Sequence, residues 1–179
     1  MNYSFGLSII NTYVEMGACL VLTNKSIVER DFWSLISRHS ITSISGVPYT
    51  FQLLKQLGFL RKSYPSLKTI TQAGGALDLE TKKAFFKYSI KNKIKVFVMY
   101  GQTEATARIS YVPPSKLGIK LSSIGKPISG GRLKIDSNNM QEGELIYYGK
   151  NVSLGYATNF QDLILGDEKN CILRTGDIG

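Results

Sequence analysis

The chain has 179 residues, with 22 Lys plus Arg against 13 Asp plus Glu, a formal charge of +9 and 43% apolar residues. That profile is globular and excludes disordered and fibrous classes. No window approaches twenty uninterrupted apolar residues, so a membrane-spanning helix is not expected. The first twenty residues are apolar-rich, but they carry Glu15 and no basic leader, unlike a signal peptide. Cys19 and Cys171 are too few and too far apart for a disulfide framework, which points to a reducing cytoplasm. Residues 1–130 hold 17 of the basic and 6 of the acidic side chains, a balance of +11, against −2 for residues 131–179. Such a step predicts two structural units. A basic first unit suits nucleic acid, an acidic membrane surface or a phosphorylated small molecule, and composition leaves the three open.

In chain order, Ala18-Cys19-Leu20-Val21-Leu22 is a wholly apolar run, as in a strand buried on both faces. Ser26 is placed to cap a helix reaching His39, with Val28, Phe32, Leu35 and Ile36 at helical spacing. Strand character returns over residues 41–45 and stops at Gly46-Val47-Pro48; residues 49–57 are helical and close at Gly58. Residues 67–72 form a predicted strand ending at Ala73-Gly74-Gly75-Ala76. Asp78 then opens a helix with Glu80 in its first turn, where a carboxylate suits the helix dipole. Residues 95–100 make the next predicted strand, stopping at Gly101.

Strand–helix alternation with short connections predicts an α/β unit, a parallel sheet covered by helices. Ligands of such sheets bind beyond the carboxyl ends of the strands. Gly46-Val47-Pro48, Gly74-Gly75-Ala76 and residues 101–104 should therefore converge on one crevice. After Pro127 the texture changes. Residues 133–136, 144–148 and 171–174 look like short strands broken by Asn138-Asn139, Gly143 and Gly149, which suits a small antiparallel β unit or barrel.

Three short segments could carry chemistry. In Met99-Tyr100-Gly101-Gln102-Thr103-Glu104-Ala105, Tyr100 offers a flat face for a heterocycle and Gly101 permits close approach of a ligand. Thr103 can donate to a phosphate oxygen, and Glu104 is a hard oxygen ligand for magnesium. The same spacing is also that of an ordinary strand, turn and helix start. Gly74-Gly75-Ala76 could lie flat against a base or phosphate, although a lone Gly-Gly is commonly just a turn. In Arg174-Thr175-Gly176-Asp177 an acidic residue in a tight turn can bind two ribose hydroxyls, and Thr-Gly-Asp is equally common turn chemistry. Lys83, Lys87 and Lys91 recur on one helix face and read as a solvated surface or a patch for an anionic partner. One histidine, His39, and two scattered cysteines argue against a zinc or histidine-based catalytic site.

Together the segments resemble the adenylate-forming family of acyl- and aryl-CoA synthetases, peptide-synthetase adenylation domains and luciferases. Tyr100-Gly101-Gln102-Thr103-Glu104 is similar to its aromatic-Gly-x-Thr-Glu motif, and Gly143-Glu144-Leu145 through Gly149 to Gly155-Tyr156 to its Gly-Glu-Leu…Gly…Gly-Tyr motif. Thr175-Gly176-Asp177 matches its Thr-Gly-Asp motif, and Ser123-Ile124-Gly125-Lys126-Pro127 resembles the Gly-x-Pro segment between them. Tyr3-Ser4-Phe5-Gly6-Leu7-Ser8 and Gly46-Val47-Pro48 also sit where members carry similar stretches.

The resemblance implies ATP- and Mg2+-dependent activation of a carboxylic acid to an acyl-adenylate, then transfer to a thiol of coenzyme A or an acyl carrier protein. By position, Tyr100 would stack on adenine with Gly74, Gly75 and Ala76 along the base. Thr103 would contact phosphate, Glu104 would hold magnesium and Asp177 would bind the ribose; Thr103 and Glu104 are thus the catalytic candidates. Val47, Gly101 and Ala105 would border the acyl pocket. The family's phosphate loop lies upstream of the matched region and its hinge and lid downstream, so the sequence resembles the middle of a ligase. Little or no adenylation by these residues alone is expected, together with exposed apolar surface that a complementary chain would cover. A non-catalytic nucleotide-binding or interaction module is the alternative. Nucleic-acid binding lacks a recognisable motif, because the basic residues are spread over several elements.

Overall fold

The computed structural model describes residues 3–137 and 142–179. Strands β1 (Ser43–Gly46), β2 (Thr69–Gln72) and β3 (Lys95–Tyr100) lie side by side and parallel, with Ile44 against Ile70 and Ile70 against Val96. The covering helices are α1 (Ser4–Glu15), α2 (Arg30–Arg38), α3 (Pro48–Gln56) and α4 (Leu79–Asn92). Proline at the first turn presets α3, where the missing N–H would have no helical partner. Asp78 caps α4 by accepting from the Thr81 N–H at 2.8 Å. Gly58, at φ +75°, ends the chain's path along α3 in a conformation glycine adopts freely.

The sheet is mixed rather than wholly parallel. β4 (Ser110–Val112) runs antiparallel to β3, and β5 (Lys126–Pro127) antiparallel to β4, giving the order β1-β2-β3-β4-β5. The edge position of β5 tolerates Pro127, which has no N–H to donate. One apolar core lies under α3 and α4: Phe51, Leu54, Ile70 and Phe85 are fully enclosed, and the Phe51 and Phe85 rings stand 4.6 Å apart. Trp33 packs half-buried against this core while its ring N–H donates to the Ile27 carbonyl at 2.8 Å.

Two expectations at the amino-terminal edge are corrected. Residues 18–22 form no strand: β1 ladders only with β2 among the described residues, and Leu22 stays 70% exposed. An apolar run supplies a preference for burial but no hydrogen-bond partner, and residues 19–22 instead border an apolar cavity of about 360 Å³ beside Ile9, Ile36 and Ile44. The second helix starts at Arg30, not after Ser26. The Ser26 side chain caps nothing; its N–H donates to the Glu29 carboxylate at 2.6 Å, and the Glu29 N–H returns to the Ser26 carbonyl at 2.9 Å. That closed turn delays the helix. Helix α1 is not anticipated by the sequence reading.

A separate antiparallel sheet follows, in the order β6 (Arg132–Asp136), β7 (Glu144–Tyr148) and β8 (Ile172–Ile178). The expected turn at Asn138-Asn139 lies outside the described residues. Thr175-Gly176-Asp177 lies within β8 rather than in a tight turn; the ladder there shifts register between Glu144 and Ile146, and Gly176 takes φ +73°. Arg174 pairs across the strands with Asp136 at 2.9 Å and with Glu144 at 2.5 Å. Lys83, Lys87, Lys91 and His39 are exposed, as are the free thiols of Cys19 and Cys171. Among the described residues no helix is long and apolar enough to cross a membrane, and no group of three His, Cys, Asp or Glu could hold a metal.

Candidate functional site

The carboxyl ends of β1, β2 and β3 deliver three glycine-containing loops to one side of the sheet. The first two touch. A Cβ added at Gly74 would stand 3.2 Å from the Val47 side chain, and one at Gly75 would stand 3.3 Å from Pro48. Gly75 takes φ +138°, which L side chains rarely adopt, and its carbonyl accepts from the Gln72 amide at 2.9 Å. The third loop leaves β3 at Gly101 and doubles back. The Ile109 N–H donates to the Tyr100 carbonyl and the Ala107 N–H to that of Gln102, each at 2.9 Å. A Cβ at Gly101 would lie 2.2 Å from the Ala107 carbonyl oxygen, so only glycine fits.

Gly75, Ala76, Tyr100 and Gly101 line a crevice of about 480 Å³, and Asp177 reaches it from β8. Tyr100 and Asp177 meet although they are 77 residues apart: the phenol donates to Asp177 Oδ2 at 2.5 Å. Gln102 Nε2 reaches the same oxygen at 3.2 Å and the Thr175 carbonyl at 2.7 Å. Both bonds fall on Oδ2, so Oδ1 carries no protein donor among the described residues. Burial, then the bond to Asp177, pushes the Tyr100 phenol up to about 12. The result is a half-buried aromatic ring beside bare backbone and a carboxylate, which suits a heterocycle joined to a diol.

Thr103, Glu104 and Ala105 form a short 3-10 turn around the corner from this crevice. Thr103 shares a 3.0 Å hydrogen bond with Ser4 at the start of α1. Glu104 Oε1 accepts from the Tyr156 phenol at 2.5 Å. That bond, more than any other contact, holds the Glu104 carboxyl below the usual carboxylate range. Ala105 is fully buried with Ile109, Tyr147, Val152 and Leu173 beneath the small sheet. Val47 stands behind Gly74 and does not line the crevice, whereas Gly101 does.

Sequence reasoning missed several residues around the crevice. Gln102 sits inside the quoted motif yet drew no role. Lys82 lines the crevice from α4 and donates to the Leu121 carbonyl at 2.8 Å; burial lowers the pKa of its ammonium. Ser122, Ser123 and Ile124 form the facing wall, fixed where Ser110 Oγ donates to the Ile124 carbonyl at 2.8 Å. Tyr156 was visible only as half of a Gly-Tyr pair.

The profile of a family described as "AMP-binding enzyme" matches residues 1–157. A 2-succinylbenzoate–CoA ligase of Bacillus pumilus is 32% identical over 97% of this chain, and one of Bacillus cereus is 29% identical over the same share. Solved structures of o-succinylbenzoate CoA synthetase from Bacillus subtilis superpose over 99% of the chain at 27% identity. The complex with the acyl-adenylate intermediate OSB-AMP has a TM-score of 0.79, and the complex with ATP and magnesium 0.77. The N-terminal domain of FACL13 from Mycobacterium tuberculosis, 18% identical, shares the fold with a TM-score of 0.80. The chain spans about 35% of the length of the Bacillus pumilus relative.

Proposed function

The chain belongs to the AMP-binding enzyme family, and on that premise we propose that it forms part of an ATP-dependent carboxylate-activating ligase. In this reading the substrate carboxylate attacks the α-phosphate, giving an acyl-adenylate and pyrophosphate. A thiol of coenzyme A or of a carrier protein then takes the acyl group. The observation that carries the reading is the Tyr100–Asp177 pair in a crevice that Gly75 and Ala76 also line. Tyr100 stacks on adenine, Gly74, Gly75 and Ala76 follow the base, and the open Oδ1 of Asp177 takes ribose hydroxyls.

Thr103 then faces phosphate and Glu104 faces magnesium. The donor set fits that ion: Oε2 of Glu104 has no protein partner among the described residues, and magnesium is commonly held by one or two carboxylates plus substrate phosphates. When bound, it neutralises charge on the phosphates. Of the acyl-pocket candidates, Gly101 lines the crevice, Val47 stands behind Gly74, and Ala105 lies buried beneath the small sheet. The division into a nucleotide- and acyl-binding unit over residues 1–130 and a small β unit over residues 131–179 follows the two sheets. The free, exposed cysteines suit a reducing cytoplasm.

These 179 residues by themselves are proposed to bind nucleotide without turning it over, because adenylation is positioning and charge neutralisation spread over a whole enzyme. Val14, Leu22, Phe160 and Ile164 are each more than 60% exposed, which suits cover by further polypeptide. The test is titration of AMP into the chain and its Tyr100→Ala and Asp177→Ala variants, with ATP–pyrophosphate exchange run alongside. AMP affinity should fall tenfold or more in each variant while exchange stays undetectable. Absence of AMP binding by the unaltered chain would sink the site, and exchange at the rate of an intact ligase would sink the claim of inactivity.

A further inference from the structure

We infer that Tyr156 is a positioning residue for the Glu104 carboxylate, held in place by the segment that crosses from β7 to β8. The inference rests on reading Glu104 as the magnesium ligand, and it concerns how that ligand is aimed.

The crossing segment grips the Thr103–Ala105 turn at successive points. Asn151 Nδ2 donates to the Ala105 carbonyl at 2.7 Å and to the Arg108 carbonyl at 3.1 Å. The Ser153 N–H donates to the Glu104 carbonyl at 2.7 Å, and the Tyr156 phenol to Glu104 Oε1 at 2.5 Å. Backbone and side chain of Glu104 are thus fixed by residues 49 and 52 positions further on, in the other sheet's connection.

The segment is itself anchored. The Leu154 carbonyl accepts from the Glu168 and Lys169 N–H groups at 2.8 and 3.2 Å. The Glu168 carboxylate also reaches to Gly155, where an added Cβ would sit 2.4 Å from its oxygen. Lys169 Nζ lies 5.3 Å from the centre of the Tyr156 ring, which sets the ring's direction. Tyr156 is 63% exposed, so burying its ring is not what the phenol is for. By taking Oε1, the phenol leaves Oε2 for an incoming cation and removes the carboxylate's freedom to rotate.

Tyr156→Phe keeps the ring over Lys169 and deletes the donor. Binding of Mn2+ to the chain saturated with a non-hydrolysable ATP analogue, followed by electron paramagnetic resonance, reads the effect. The variant should bind Mn2+ about tenfold more weakly, the lower end of such outer-contact effects. Metal-free AMP affinity should hold within about twofold, and the melting temperature should hold as well, as for a surface change. Unchanged or tighter Mn2+ binding in Tyr156→Phe, with weakened binding in Glu104→Gln, overturns the inference and spares the reading of Glu104. Unchanged binding in Glu104→Gln overturns that reading instead. Parallel loss of Mn2+, AMP and thermal stability shows a purely structural tyrosine and also overturns the inference. Should the unaltered chain capture no Mn2+, crystal structures of the chain and of Tyr156→Phe decide: a Glu104 carboxylate moved by less than about 0.5 Å refutes positioning.

Discussion

Under the five-stranded sheet, Phe51, Leu54, Phe59, Ile70 and Phe85 form a core drawn entirely from that sheet and its helices. Under the three-stranded sheet, Tyr147, Val152 and Leu173 close their cluster only by borrowing Ala105 and Ile109 from the turn after β3. The larger unit closes this core from its own residues, and the smaller one is completed by its neighbour. The candidate site lies on that seam, since Tyr100, Thr103 and Glu104 precede the borrowed residues and Asp177 and Tyr156 come from the borrower.

Truncating the independent core should have the largest effect. Phe85 is fully buried, so Phe85→Ala should cost about 3–5 kcal/mol. A urea titration followed by fluorescence and by circular dichroism should show both sheets lost together; a small sheet that outlives the larger one would break the comparison. Next comes the seam. Asn151→Ala removes the donor to Ala105 and Arg108 and the acceptor for the Tyr147 phenol, at about 1–3 kcal/mol. Hydrogen exchange should then quicken across β7 and β8 while β2 and β3 keep their protection. Gly101→Ala forces a side chain onto the Ala107 carbonyl, and overpacking of that kind costs about 1–3 kcal/mol. It should also abolish AMP binding, measured by titration; retained affinity would mean the turn yields.

A smaller effect should appear at high pH. The Tyr100 phenol is raised from 10.0 to about 12, so the folded state favours the neutral form. The stability this contributes is complete below pH 10 and is lost as pH rises toward 12. Melting temperatures taken across that window should fall less in Tyr100→Phe than in the unaltered chain. Smallest of all, Lys83→Ala removes an exposed, solvent-screened pair with Glu80 at 2.9 Å and should leave the melting temperature unchanged.

What could be read in advance was whatever short-range chemistry decides. β3 and β7 begin and end where expected because Gly101, Gly143 and Gly149 punctuate apolar runs, and Asp78 marks the start of α4 by its cap. β4 and β5 are three and two residues long, too short for any periodicity, and they exist because β3 offers an open edge. Residues 18–22 show the reverse failure, a strand-like run without a ladder. At the site, the residue types were legible and their pairing was not. Nothing local joins Tyr100 to Asp177, or Glu104 to Tyr156 some 52 positions on; only the packing of one sheet against the other does.

The Tyr100–Asp177 hydrogen bond has a further consequence as an adhesive. A nucleotide held between the two would touch both sheets at once, so its binding free energy becomes attachment of the smaller to the larger. At a hundredfold excess over its dissociation constant, that attachment would amount to about 2.7 kcal/mol. Ligand concentration would then set how far the two sheets unfold as one body, and the cooperativity of melting would report occupancy.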